Sequence, residues 1–91
     1  MGSDVEQWRG LVSAYFSDVE KALCVIKYES GGNPNAKNPS SGAAGLFQIM
    51  PFWWDAYGGD RYDPETNVAL AAVILGQQGW GAWSVVNRGL C

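Results

Sequence analysis

Glu29 is the residue in this chain best suited to move a proton. It closes a helical pattern that begins near Val19, and it opens the run Glu29-Ser30-Gly31-Gly32-Asn33-Pro34. At about 100° per residue, Val19, Ala22, Val25 and Ile26 share one apolar arc, which Leu23 extends. Glu29 falls on that arc, between Ala22 and Val25; Glu20, Cys24, Lys27 and Tyr28 occupy the polar one. A carboxylate on an inward face is costly to desolvate. Desolvation raises its pKa, because the charged form is disfavoured. A carboxylic acid that stays protonated near neutral pH can donate to a leaving group. The competing reading is a last-turn residue that turns out to solvent.

Two further blocks follow in order. One is Gly42-Ala43-Ala44-Gly45-Leu46-Phe47-Gln48-Ile49-Met50-Pro51, the other Tyr62-Asp63-Pro64-Glu65-Thr66-Asn67. No Asp or Glu lies between Glu29 and Asp55. Glycosidases ordinarily use two carboxylates, so this gap bears on mechanism. Gln48 is either a cleft residue or a loop-capping amide, and Met50 either lines a cleft or fills the core. There is no histidine, so the commonest neutral-pH base and metal ligand is missing. Two cysteines do not make a zinc site, and Asp60-x-x-Asp63-x-Glu65 lacks the ligands of a Ca²⁺ loop and reads better as helix capping. No metal and no cofactor are expected.

The elements that must position these residues are mainly helical. Ser-Asp-Val-Glu occurs at Ser3–Glu6 and again at Ser17–Glu20, each fitting a capping box with Ser as N-cap and Glu at N3. The first helix should present Trp8, Leu11, Val12, Tyr15 and Phe16 on one face. The second should end near Ser30, stopped by Gly31-Gly32-Asn33-Pro34. Residues 31–45, rich in Gly, Asn, Pro and Ser, read as a long loop or a short irregular hairpin. Pro51 suits the first position of a short helix ended by Gly58-Gly59, and Asp63-Pro64 starts the next. That helix is apolar nearly all round from Val68 to Leu75 and should be the buried centre, ending at Gly76 or Gly79. Trp80 to Val86 should form a last short helix. Trp53 and Trp54 are adjacent, so one of them should be exposed, with a cleft wall as its place.

The chain has 91 residues, enough for one domain over residues 1–91. With 47% hydrophobic and 16% charged residues it is a folded globular chain. Its net charge of -3 argues against binding nucleic acid through a basic patch. The longest apolar run, Val68–Leu75, is far short of the roughly 18 residues of a membrane span. Asp4 and Glu6 stand where the apolar stretch of a secretory leader would lie, so no targeting signal is expected within these residues. Cys24, on the polar arc, and Cys91 read as one disulfide in an oxidising compartment, the alternative being two free thiols.

The three blocks, in this order and with a helix ending on the Glu, resemble the soluble lytic transglycosylase (SLT) domain, a lysozyme-like family that cleaves peptidoglycan. The resemblance runs from about Val19 to Gly89. It implies a small, mainly α, single-domain lysozyme-like fold, with the long loop or irregular hairpin after the catalytic helix. It implies that Glu29 is the catalytic acid/base. Gly45, Leu46, Gln48 and Met50 match the family's Gly-Leu-Met-Gln-x-Met stretch, with Phe47 at its first Met, and Asn67 matches the Asn of the next helix. Ser30, Tyr62 and Asn87 complete the expected substrate contacts. The chain departs from the family at Val85-Val86-Asn87-Arg88-Gly89, where Val86 stands for a Tyr directed at the catalytic Glu. Tyr62 and Tyr28 are the candidates to replace its hydroxyl. Asn38 stands where members often carry Ser.

The function implied is cleavage of the MurNAc-β-1,4-GlcNAc bond of peptidoglycan glycan strands by a monomer outside the cytoplasm. A single Glu serves both steps, with the substrate's own C6 hydroxyl as nucleophile and 1,6-anhydro ends as product. Three alternatives stay open. One is a hydrolytic muramidase with Asp55, Asp60 or Asp63 as second carboxylate. The others are a non-catalytic glycan-binding module and a structural domain of a larger machine.

Overall fold

The computed structural model describes residues 5–91. A 3₁₀ turn, Glu6–Trp8, runs into α1 (Arg9–Ser13), followed by α2 (Val19–Ser30), α3 (Pro51–Tyr57) and α4 (Pro64–Gln78). A second 3₁₀ turn, Trp80–Ala82, leads into α5 (Ser84–Asn87). The architecture is mainly helical, as expected of a lysozyme-like fold. Between α2 and α3 the chain makes antiparallel bridges Lys37–Ala44 and Ala44–Ile49, which form the irregular hairpin.

Two sequence signals act as anticipated. Pro51 opens α3. Asp63 caps α4 by accepting from the Thr66 N–H at 3.0 Å, ahead of Pro64. The start of α2 differs. Its N-cap is Asp18, which accepts from the Lys21 N–H at 3.1 Å, and not Ser17. Asp and Ser serve equally well as caps, and Glu20, released from a capping box, pairs instead with Arg9 of α1. The Ser3 cap lies outside the described residues. Gly31 ends α2 in the left-handed region (φ +64°), and its N–H reaches the Ile26 and Lys27 carbonyls.

The core is built on Ala22, Val25 and Ile26 of α2 packed with Val68, Leu70, Ala71 and Ile74 of α4. Phe47, fully buried, stacks on Phe16 with ring centroids 5.2 Å apart, and Trp83 packs against it at 5.5 Å. The Trp83 Nε1–H donates to the Phe47 carbonyl at 3.1 Å. This bond ties the C-terminal segment to the loop that precedes α3.

Four expectations change in three dimensions. Trp53 and Trp54 are both buried. Trp54 enters the core and donates to the Ile49 carbonyl at 3.2 Å, while Trp53 is covered by the rings of Phe52 and Tyr57 on its own short helix. The last helix is split, because Trp83 adopts an extended backbone (ψ 124°) that carries its indole inward. α4 is central but not buried all round, for Val73 is 39% exposed. Tyr15 lies past the end of α1; its hydroxyl donates to Glu65 at 2.9 Å at the surface rather than entering the core.

Candidate active site

α2 delivers Glu29 to the wall of an open cleft of about 270 Å³. The cleft is bounded on one side by the hairpin and the start of α3, through Asn38, Ser41, Ala43, Gln48, Met50 and Trp53. The opposite wall comes from the end of α4 and from α5, through Ile74, Gln78, Trp83 and Ser84. Among the described residues Glu29 is the only carboxylate lining it.

Glu29 is half-buried, and no described side chain or backbone group hydrogen-bonds to its carboxylate. Burial pushes its carboxyl above the ordinary glutamate range, and the positive charge of Arg88 draws it part of the way back. The carboxylate is therefore held by the backbone of a rigid helix end and left free for a ligand. The loop that follows is anchored from the N-terminal side, where the Trp8 Nε1–H donates to the Gly32 carbonyl at 2.8 Å.

Gln48 is the one non-glycine residue with positive φ (+49°) among the described residues. This conformation costs about 1 kcal/mol for an L residue and persists where its surroundings enforce it. Here its side-chain Nε2 donates to the Ala36 and Gly45 carbonyls, each at 3.0 Å. Gln48 thus caps the loop and lines the cleft at once. Its Oε1 has no partner among the described residues and is available as an acceptor. Met50 is 45% exposed at the cleft rim and is not core filler.

The other sequence-predicted positions stand behind or away from the cleft. Ser30 donates to the Leu46 carbonyl at 2.8 Å, coupling the Glu29 turn to the hairpin. Leu46 is fully buried. Asn67, 1% exposed, accepts from the Phe47 N–H at 2.9 Å and donates to the Ala44 and Arg61 carbonyls. It supports the wall from within. Asn87 donates to the Gly81 carbonyl at 2.9 Å and is exposed, and neither it nor Tyr62 lines the cleft. Tyr28 precedes Glu29 on the outer face of α2, under Lys27. Among the described residues no tyrosine lines the cleft; the hydroxyls lining it are those of Ser41 and Ser84. Ser84, Gln78 and Trp83 carried no periodic signal that separates a cleft wall from an ordinary surface.

Gly45 is required by this support. Its φ is +83°, and a Cβ there would lie 2.0 Å from Asn67 Nδ2 and 2.5 Å from the Arg61 carbonyl oxygen. Gly45→Ala is expected to destabilise the fold by about 3 kcal/mol, from strain plus displacement of a buried hydrogen-bonded side chain. Urea denaturation reads this directly. A midpoint equal to wild type would show that the Asn67 junction is not a constraint.

Residues 6–80 match the transglycosylase SLT domain family. Among curated proteins, the chain is similar to "Probable transglycosylase IsaA" of Staphylococcus aureus, 46% identical over 59 residues, covering 65% of this chain and 23% of the relative. It is also similar to "Resuscitation-promoting factor RpfA" of Mycobacterium tuberculosis, 37% identical over 73 residues, covering 72% of this chain and 18% of the relative. The chain thus spans about a fifth of the length of the curated relatives it matches.

Proposed function

Because this chain belongs to the transglycosylase SLT domain family, we propose that it is a peptidoglycan lytic transglycosylase. It cleaves the MurNAc-β-1,4-GlcNAc bond with Glu29 as its single acid/base. The observation that carries this reading is the cleft's composition among the described residues: one half-buried carboxylic acid with no hydrogen-bond partner, and no second carboxylate lining the cleft.

Glu29, protonated, donates its proton to the glycosidic oxygen as the C1–O bond breaks, and the GlcNAc leaves as an alcohol. Positive charge develops at C1 of MurNAc, where the substrate's own N-acetyl carbonyl can stabilise it. The Glu29 carboxylate then accepts the proton of the C6 hydroxyl as that oxygen bonds to C1. The ring closes to a 1,6-anhydro sugar and the acid is regenerated, with no water consumed. Raising the pKa of Glu29 by burial favours the first step. Asn38, Ser41, Gln48, Gln78 and Ser84 line the cleft and are polar groups that can orient the sugars.

The hydrolytic alternative needs a base for water. Its candidates stand elsewhere: Asp63 is occupied with the cap of α4, Asp60 accepts from the Tyr62 N–H at 2.9 Å, and Asp55 does not line the cleft. On this reading the chain acts as a monomer. The substrate's location and the disulfide together support action outside the cytoplasm.

Product mass tests the proposal. Digests of purified peptidoglycan are expected to contain mainly anhydro-ended muropeptides, one water lighter than reducing-end products and inert to borohydride. Predominantly reducible ends would establish the muramidase reading instead.

A further inference from the structure

Resting on that glycan reading, we infer that the exposed aromatic rings of α3, Phe52 and Tyr57, which both pack on Trp53, form a sugar-binding platform that extends the cleft and grips the strand beyond the reacting pair. Phe52 is 59% and Tyr57 53% exposed, the two most exposed large hydrophobic side chains among the described residues. Neither ring is loose. Trp53 contacts both, 4.7 Å from Phe52 and 6.0 Å from Tyr57 by ring centroids, the latter pair stacked within 24°. Gln77 of α4 donates to the Tyr57 hydroxyl at 2.8 Å, fixing the ring by its polar end. The two rings are thus held in place on a short helix while more than half of each stays open to solvent.

The platform is continuous with the cleft. Trp53, which both rings contact, is itself a cleft residue, and so is Met50 at the start of the same helix. The cleft alone is small. Its volume of about 270 Å³ falls at the lower edge of the roughly 300–1,000 Å³ usual for ligand sites. A polymer entering it must leave over its rim, and at α3 that rim is aromatic. A pyranose presents a face of C–H groups that packs on an aromatic ring, while its hydroxyls remain in water. The occupant is therefore a neutral saccharide unit of the same strand.

The test compares wild type with Phe52→Ala/Tyr57→Ala, using β-1,4-linked N-acetylglucosamine oligomers of increasing length and purified sacculi as probes. Binding is measured in a Glu29→Gln background, so that it is read without cleavage. The expected result is about a tenfold loss of affinity for long oligomers and sacculi, equivalent to about 1.4 kcal/mol. Short oligomers should bind unchanged, and Phe52→Trp/Tyr57→Trp should restore the loss. With Glu29 present, KM should rise while kcat holds. Unchanged binding of long oligomers, or an equal loss at every length, overturns the platform. So does a wild-type dimer in sedimentation that the double variant abolishes without any change in oligomer affinity, because the face then covers a second copy. Length-dependent binding loss in a protein that cleaves nothing keeps the platform and removes the lytic reading. Cleavage with an unaltered KM in the double variant does the reverse.

Discussion

Glu29→Gln is expected to lower turnover on purified peptidoglycan by at least about 10²–10⁴-fold, because one group serves as acid in the first step and base in the second. Gln preserves the shape of the side chain but neither donates nor removes the proton. The fold should survive, since the Glu29 carboxylate makes no hydrogen bond to the described residues. Wild-type turnover by the folded variant would falsify the assignment.

The same substitution has a stability signature that a bystander carboxylate would not give. Burial raises the folded-state pKa of Glu29 above the ordinary value of 4.5, with the Arg88 charge opposing only in part. Within the window from 4.5 up to the raised value, the folded protein holds a proton that the unfolded chain has released. Glu29 therefore contributes most to stability below 4.5, and that contribution is lost as pH rises through the folded-state pKa. Glu29→Gln removes this pH-dependent loss. Its Tm should exceed that of wild type at neutral pH, by a margin that shrinks in acid. Wild-type activity should decline on the alkaline side with an apparent pKa above that of an ordinary glutamate. Equal Tm differences at all pH values would mean that the carboxyl is solvated like any surface group.

Loss of the Cys24–Cys91 bridge is expected to destabilise the protein by about 4 kcal/mol on the chain-entropy account, because the closed loop spans 67 residues. For a small domain that is a large share of a total stability of about 5–15 kcal/mol. The bridge joins the middle of α2 to the segment after α5, with Cα atoms 5.9 Å apart. It therefore fastens the chain that carries Arg88 and Ser84 to the helix that carries Glu29. Cys24→Ser/Cys91→Ser should show a clearly lower urea midpoint than the oxidised wild type. Activity at low temperature should fall as well, since the α5 wall of the cleft loses its anchor. A midpoint unchanged by the double substitution would place the bridge among surface features without mechanical weight.

The parts of the molecule readable from sequence are those that local chemistry decides. Asp63-Pro64 starts α4 because a short acid accepts orphan N–H groups and proline tolerates the first helical position. Gly31 stops α2 because glycine takes positive φ without cost. Glu29 was legible as an inward acid because its place on the apolar arc of α2 is a property of that helix alone. The absence of a carboxylate between Glu29 and Asp55 was legible by inspection, and it governs the proposed chemistry.

The division of the motif into cleft and support was not legible. Gly45, Leu46, Gln48 and Met50 lie within six residues of each other, yet Gln48 and Met50 line the cleft while Gly45 and Leu46 are buried behind it. A loop has no period, so side-chain direction depends on the bonds that hold it. Here those bonds come from Ala36, Asn67 and Trp83, distant in sequence. The facing wall from Ile74 to Ser84 depends on how α4 and α5 pack against the hairpin. The burial of both Trp53 and Trp54 depends on Phe52 and Tyr57 covering one while the core takes the other. Local patterns decided most of the helices, several of their ends and the inward acid. What surrounds the acid follows from the packing of distant segments, because a pattern within one element reports which face is apolar and not which distant residues come to cover it.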